Sequence, residues 1–376
     1  MNDTTNKKFY RYDLSPLWEI HKGYFFESGL KPWKSGAVPF SGVSNYNEAY
    51  KKARLVIENL KKIKKDDLFE IKILELASGN GEFARNFLYV FQEICEAESL
   101  NYFSRLKFSI SDFSQKTLDE LKASGRFDKF QSQIQFECID VLNPQVICDS
   151  SFDCILANYL LDQFPARIFV KDANQYFEKY IAVSDDKKYY HPGKNFIKRI
   201  PKFFEFRSVN LSQELSIQHL DIFESCFRTS KTSTAVYSYG ALRVLRNLLP
   251  KLNENGILIM SDFHGASRGG FDKYEPCYYG NSIAHPVNFE FIAKYFQDYP
   301  TVILYEDPIK PLHTLILARP DFSRAFELGE IYHQVYLQNK FIRALYRFLV
   351  EFKLSLYLFL LIAFLMVFLC TLKANV

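Results

Sequence analysis

The stretch Ile73–Leu88, "ILELASGNGEFARNFL", passes from an apolar run that closes on an acid, through a turn of small residues, into an amphipathic segment with helical spacing. That order predicts a strand, a tight turn and a helix with no linker between them. Such a turn points backbone N–H groups and the positive end of a helix dipole at one spot, so whatever binds there comes very close to the backbone. Gly79 and Gly81 permit the approach, and Asn80 between them can take the positive φ of a tight turn. Two ligand classes use this kind of turn: dinucleotides and the sulfonium nucleoside S-adenosylmethionine. Residues Gly79–Ala84, "GNGEFA", fit the G-x-G-x-x-G/A pattern of NAD-binding chains, so an NAD-dependent dehydrogenase is one reading.

The acid separates the two classes. Glu75 stands four residues before Gly79, where it repels a pyrophosphate and attracts a ligand bearing a sulfonium and an ammonium. The next strand also closes on an acid: Asp112, in "ISDFS", offers two oxygens to a pair of ribose hydroxyls. Asp140, in "CIDV", closes the third at a place suited to an adenine amino group. One acid at a strand end is common. Three at successive strand ends behind one glycine turn favour S-adenosylmethionine.

Outward from this centre, "IKILELA", "KFSISD", "IQFECID" and "FDCILAN" read as strands, and "GEFARNFLYVFQEI" and "SQKTLDELKAS" as helices. The alternation implies a parallel sheet covered by helices. It breaks between about residues 165 and 234, then resumes with the helix "GALRVLRNLLPKL", the turn "NENG" and the strands "GILIMSD", "TVILYED" and "HTLILAR". An interruption of that length is expected to form a lid or a substrate-facing insertion. The organisation is therefore an aromatic N-terminal helical cap over 1–65, a sheet domain over 66–320 with the insertion at about 165–234, and a helical linker over 321–353.

The hydrophobic content of 48% and aromatic content of 17% over 376 residues exclude a disordered chain. With 47 basic and 43 acidic residues there is no electrostatic case for a nucleic-acid partner. Seven scattered cysteines without a C-x-x-C pair suit free thiols in a reducing compartment, and no histidine spacing suggests a metal. The N-terminus lacks the apolar core of a secretory signal. Residues Leu354–Leu372, "LSLYLFLLIAFLMVFLCTL", carry no charge. At about 1.5 Å per residue they span roughly 28 Å, close to the hydrocarbon thickness of a bilayer, and are expected to form a transmembrane helix. Lys340, Arg343, Arg347 and Lys353 precede this run and only Lys373 follows it, which places the larger part of the chain in the cytoplasm, anchored to a membrane.

Taken together, "ELASGNGEFA", "SDF", "IDV" and "LRNLLPKLNENGILIMSDF" resemble the class I S-adenosylmethionine-dependent methyltransferase family over about residues 45–319, with Ala77 where that family usually carries glycine. The resemblance implies a Rossmann-like seven-stranded α/β sheet with the cofactor at the carboxyl ends of its strands. Around the cofactor it implies Glu75, Ala77, Ser78, Gly79, Asn80, Gly81, Asp112, Phe113, Asp140, Val141 and Asn158. Residues Ile155–Pro165, "ILANYLLDQFP", are similar to the N-E-F-F-D-A-L-P stretch of MidA-type methyltransferases, which assist assembly of respiratory complex I and include a protein arginine methyltransferase. Tyr159 stands where that branch has glutamate, and a tyrosine cannot hold a guanidinium bidentately. "ANYLLDQFP" and "AHPVNFEFIAKYF" also resemble stretches of uncharacterised bacterial methyltransferase-like proteins that end in tetratricopeptide repeats, and Ala325–Leu349 has a partial likeness to such a repeat.

Methyl transfer is an in-line displacement, so the protein's task is to position the nucleophile and exclude water. Asn158, at the end of the fourth strand, is placed to orient an acceptor amine or amide. Asp162, four residues on, is expected on the same helix face, accepting a proton or holding a cation. Tyr159 is a candidate substrate wall, Asp262 a candidate pocket acid and His264 a candidate base in the following loop. His285 is favoured by the resemblance alone, as are Ser44, Asn45 and Tyr46 in "VPFSGVSNYNEAY", which is similar to the segment that lids the cofactor. The expected activity is S-adenosylmethionine-dependent methylation of a protein or other macromolecular acceptor. Tyr159 and the insertion leave open a non-catalytic scaffold or assembly factor on the same fold.

Overall fold

Seven apolar runs pair into one sheet: β1 (Ile71–Leu76), β2 (Leu106–Asp112), β3 (Ile134–Cys138), β4 (Phe152–Asn158), β5 (Leu252–Phe263), β6 (Thr301–Tyr305) and β7 (Leu312–Ala318). They belong to a computed structural model that describes residues 7–63, 69–184, 196–229, 233–263, 276–305 and 312–319. The chain divides into two compact units, Met1–Gly329 and Glu330–Val376, and the described residues all lie in the first. The strand order is β6-β7-β5-β4-β1-β2-β3. β1 to β5 run parallel, as the alternation implies. β7 is antiparallel to both β5 and β6, so the sheet is mixed. Only six residues separate β6 from β7, far fewer than the dozen or so a parallel crossover needs. β1 is buried at every position but Lys72, as expected of a central strand covered on both faces.

The helices that matter here are α1 (Leu17–Ser28), α2 (Tyr46–Lys62), α3 (Glu82–Ala97), α4 (Gln115–Ala123), α5 (Ile217–Thr229), α6 (Tyr239–Leu248) and α7 (Phe289–Tyr295). α2 packs on α3. Asn45 starts α2 by accepting from the Glu48 N–H at 3.2 Å, and Ser114 starts α4 by accepting from the Thr117 N–H at 3.3 Å. The order of strands reverses between β1 and β4, and in sheets of this type the crevice outside the strand ends at such a reversal is where ligands bind.

The insertion builds a second, antiparallel sheet. Strands Arg167–Asp172, Gln175–Val183, Lys202–Val209 and Thr234–Tyr237 join Tyr10–Arg11 from the N-terminus. Arg167, almost fully buried, ties two of these strands through a bidentate pair with Glu178, both contacts at 2.6 Å. The N-terminal cap is therefore helical only in part, because its first residues complete this sheet. The "NENG" turn also differs from expectation: it falls within β5, with a register shift between Leu252 and Ile257. The transmembrane run, the linker, the repeat-like segment and His264 lie outside the described residues. Among the described residues, no helix is long and apolar enough to cross a membrane.

Candidate active site

Glu75 and Leu76 end β1, and the chain then turns through three positive φ angles: 50° at Ala77, 53° at Gly79 and 70° at Gly81. Ala77 is the position where glycine is usual in the resembling family. Its left-handed φ gives the reason, since a Cβ is strained there. Asn80 does not use the positive φ open to it; its Oδ1 accepts from the Glu82 N–H at 3.1 Å, which fastens the start of α3. The loop is tied to β2 as well: the Ser78 N–H donates to the Ser111 carbonyl at 2.8 Å, and the Gly79 N–H to Oδ2 of Asp112 at 3.3 Å. The other Asp112 oxygen accepts from the Ser114 N–H at 2.9 Å.

The two glycines do different things. A Cβ on Gly79 would lie 2.8 Å from the indole of Trp33, so the N-terminal cap rests directly on this loop. A Cβ on Gly81 would meet Leu121 at 2.9 Å and Phe127 at 3.0 Å, on the side away from the crevice. Gly81 thus serves close packing of the loop on its neighbours and does not line the cavity, contrary to the expected ligand contact.

A cavity of about 360 Å³ opens over the ends of β1, β2 and β4. Glu75, Ala77, Ser78, Gly79, Asn80 and Asp112 line it, together with Phe113, Asp140, Val141 and Asn158. Tyr159 and Asp162, the other expected catalytic residues, line it too. Of the lid candidates only Ser44 does; Asn45 is the cap of α2, and Tyr46 is exposed with its hydroxyl donating to Glu93. Asp262 and His285 are buried outside the lining. The insertion, expected to face the substrate, supplies only Pro165 among the described residues; the opposite wall comes from the N-terminal cap, with Trp18, His21, Phe25 and Trp33. Its aromatic content was visible in the sequence, but nothing local said which face would cover the strand ends.

Burial governs the electrostatics. Glu75 is 3% exposed and its carboxyl is pushed up to about 8, with the Ser78 hydroxyl and the charge of Lys52 pulling the other way. Asp112 is pushed up to about 6 by burial, against the three backbone N–H groups that favour its ionised form. Asp162 and Asp262 form a second buried pair, both raised by burial, with Asp262 raised further by its neighbour. Asp262 accepts from the backbone N–H of Asp162 at 3.0 Å and of Phe263 at 2.8 Å, whereas Asp162 accepts from the Gln163 side chain at 2.5 Å.

Asn158 and Asp162 do not share a helix face. Asn158 is the last residue of β4, Tyr159 takes a φ of 52°, and a short 3-10 turn, Leu161–Gln163, carries Asp162. The strained Tyr159 stacks its ring on Phe263, 4.7 Å between centroids and 12° between planes, while its hydroxyl reaches the bare backbone of Gly42. His285 is packed against Trp18 with Nε2 3.1 Å from the Phe164 carbonyl oxygen, and burial drives its pKa down to about 3, so it is a structural neutral imidazole. Among the described residues, no cluster of His, Cys, Asp and Glu could hold a metal ion. Sequence reasoning missed Lys52, wholly buried on α2, whose ammonium donates to Oδ1 of Asn158. The signal was present: Lys52 falls on the apolar stripe of Ala49, Leu55 and Val56.

Strand order, mixed sheet and glycine turn together define a class I methyltransferase fold. Residues 53–278 match the model of Methyltransf_28, a family of S-adenosyl-L-methionine-dependent methyltransferases, and the chain belongs to that family. It is accordingly an S-adenosylmethionine-dependent methyltransferase. The fold is similar to that of a COG1565 superfamily member from Burkholderia thailandensis, crystallised with S-adenosyl-homocysteine. That similarity has a TM-score of 0.57 at 13% identity, over 84% of this chain and 91% of that one. A native structure from the same superfamily and organism has a TM-score of 0.51 at 13% identity, covering 84% and 90%. No curated protein matches the sequence.

Proposed function

We propose that this methyltransferase binds S-adenosylmethionine across the ends of β1, β2 and β4 and passes its methyl group to a protein or other macromolecular acceptor. The observation that carries the reading is the pair Glu75 and Asp112, buried on one cavity wall beside the Gly79 loop. A cationic ligand offsets the cost of ionising Glu75 there, which a pyrophosphate would raise. The cavity, about 360 Å³, is near the small end of the roughly 300–1,000 Å³ that small-molecule sites span.

At the acceptor end, Tyr159 and Phe263 form an aromatic wall, and Asp162 is the group that takes the proton the acceptor releases. The run Leu354–Leu372 tethers the enzyme to a membrane with its catalytic domain in the cytoplasm.

Calorimetry on the full-length protein tests the site. The wild type should bind S-adenosylmethionine and release close to one proton at pH 7, as Glu75 ionises. Glu75→Gln should weaken binding by about 30-fold or more and abolish the proton release. Unchanged affinity would remove the assignment. An acceptor activity in cell extract that survives exhaustive proteolysis would remove a protein acceptor, and release of the full-length chain from membranes by alkaline carbonate would remove the tether.

A further inference from the structure

The strand Lys202–Val209 forms an edge of the insertion's sheet. Among the described residues its one partner strand is Gln175–Val183, along an unbroken ladder of eight pairs from Tyr176–Val209 to Val183–Lys202. No bulge and no proline interrupts this edge, although sheets commonly use both to avoid pairing with another chain. A lysine often guards such an edge too, but Lys202 is turned onto its own loop. It donates to the Ile197 carbonyl and, at 3.2 Å, to the Ile200 carbonyl, with its ammonium 4.2 Å from the centre of the Tyr278 ring.

One face of this strand is unfinished. Residues directly opposite each other in an antiparallel ladder share a face, so Phe204 lies beside Ile181 and Phe206 beside Lys179. Ile181 is wholly buried in a core with Tyr12 and Leu17, whereas Phe204 is 42% and Phe206 50% exposed. The apolar face that is covered on the inner strand is bare on the edge.

Charge selects the occupant. Glu205 and Arg207 share the opposite face and pair with each other. If this strand meets a second copy antiparallel, the two-fold axis passes through a residue, because opposed side chains share a face. An axis at Glu205 would set two carboxylates together, one at Arg207 two guanidiniums, and one at Phe204 would leave Glu205 opposite an aromatic ring. An axis at Phe206 sets each Glu205 against the partner's Arg207, and the two Phe206 rings against each other. The strand is thus complementary to itself in a single register.

We infer that two copies of this chain pair through Lys202–Val209 in an antiparallel, two-fold dimer centred on Phe206, which extends the insertion's sheet across both chains. The inference is independent of the cofactor reading.

The test uses the full-length protein in detergent. Sedimentation should show a dimer with a Kd of about 1–100 μM. Glu205→Arg and Arg207→Glu, which set like charges opposite each other, should each weaken it by about tenfold or more, and the double exchange should restore it to within about threefold. Mild oxidation should link Phe206→Cys to its own copy well above the wild-type background, since opposed Cα atoms fall within disulfide range. Phe204→Cys should not link to itself, because its copy lies four residues along the strand, about 13 Å away. Dimerisation indifferent to the charge variants, or cross-linking as strong at 204 as at 206, overturns the inference. So does a chain that stays monomeric at about 100 μM. In that monomer, a Phe206→Cys thiol unreactive to maleimide would mark a segment of the chain itself as the occupant, and a thiol protected by anionic vesicles would mark a lipid surface.

Discussion

Two pairs of buried acids among the described residues, Glu75 with Asp112 and Asp162 with Asp262, are built on the same plan. In each pair one acid spends its oxygens on backbone N–H groups: Asp112 on Gly79 and Ser114, Asp262 on Asp162 and Phe263. The other faces the cavity, Glu75 with an unpartnered oxygen and Asp162 held by Gln163. Burial raises the pKa of all four, so the shift alone does not tell them apart. Hydrogen-bond accounting does. An acid satisfied by two backbone donors fastens a loop, and an acid left short of partners in a cavity is kept for a ligand or a proton.

The sharpest way to break this division is to remove one acid of each kind from the second pair. Asp262→Ala leaves the buried Asp162 N–H and the partly buried Phe263 N–H without this partner and should lower unfolding stability by about 2–4 kcal/mol, measured by denaturant titration. Asp162→Asn should change stability by under about 1 kcal/mol yet lower kcat by about 10- to 100-fold. In the wild type kcat should rise with pH above the ordinary carboxylate range as the buried Asp162 gives up its proton, and Asp162→Asn should flatten that limb. Equal effects of the two variants on stability would erase the distinction.

A smaller effect sharpens the same comparison on the first pair. The folded-state pKa of Glu75, about 8, lies above its ordinary 4.5, so the folded protein binds this proton more tightly than the unfolded chain. Stability from this group is full below about pH 4.5 and is lost as pH rises through about 8. Glu75→Gln should therefore be the more stable protein without ligand at pH 8, by about 1–3 kcal/mol in thermal unfolding, while binding cofactor worse. Smallest of all, Ala77→Gly should relieve the left-handed strain beside Glu75 and change stability by no more than about 1 kcal/mol, in the stabilising direction.

The seven strands and their acids were legible because each strand is a short apolar run with turn residues at its ends, and the acids mark where those runs stop. Glu75, Asp112 and Asp140 were found in this way, and all three line one cavity. Lys52 was not, although it falls on the apolar stripe of α2 with Ala49, Leu55 and Val56. Lys51 and Lys52 are in fact both buried, the first against Glu48 at 2.7 Å. Gly81 lies outside the lining of that cavity, and the sequence had no way to show it: a glycine in a ligand-binding pattern looks the same whether its missing side chain makes room for a ligand or for Leu121.

The sequence by itself determined the strand, turn and helix from Ile71 to Ala97, the succession of sheet strands and the chemistry of the strand-end acids, since all three depend on neighbours a few residues apart. Only the tertiary structure decided that Trp33 covers Gly79, that Lys52 reaches Asn158 across 106 positions, and that a strand of the insertion pairs with Tyr10–Arg11. Those contacts join segments far apart in the chain. Which of many similar apolar faces meet is settled by how the whole core closes, and no local pattern of residues records it.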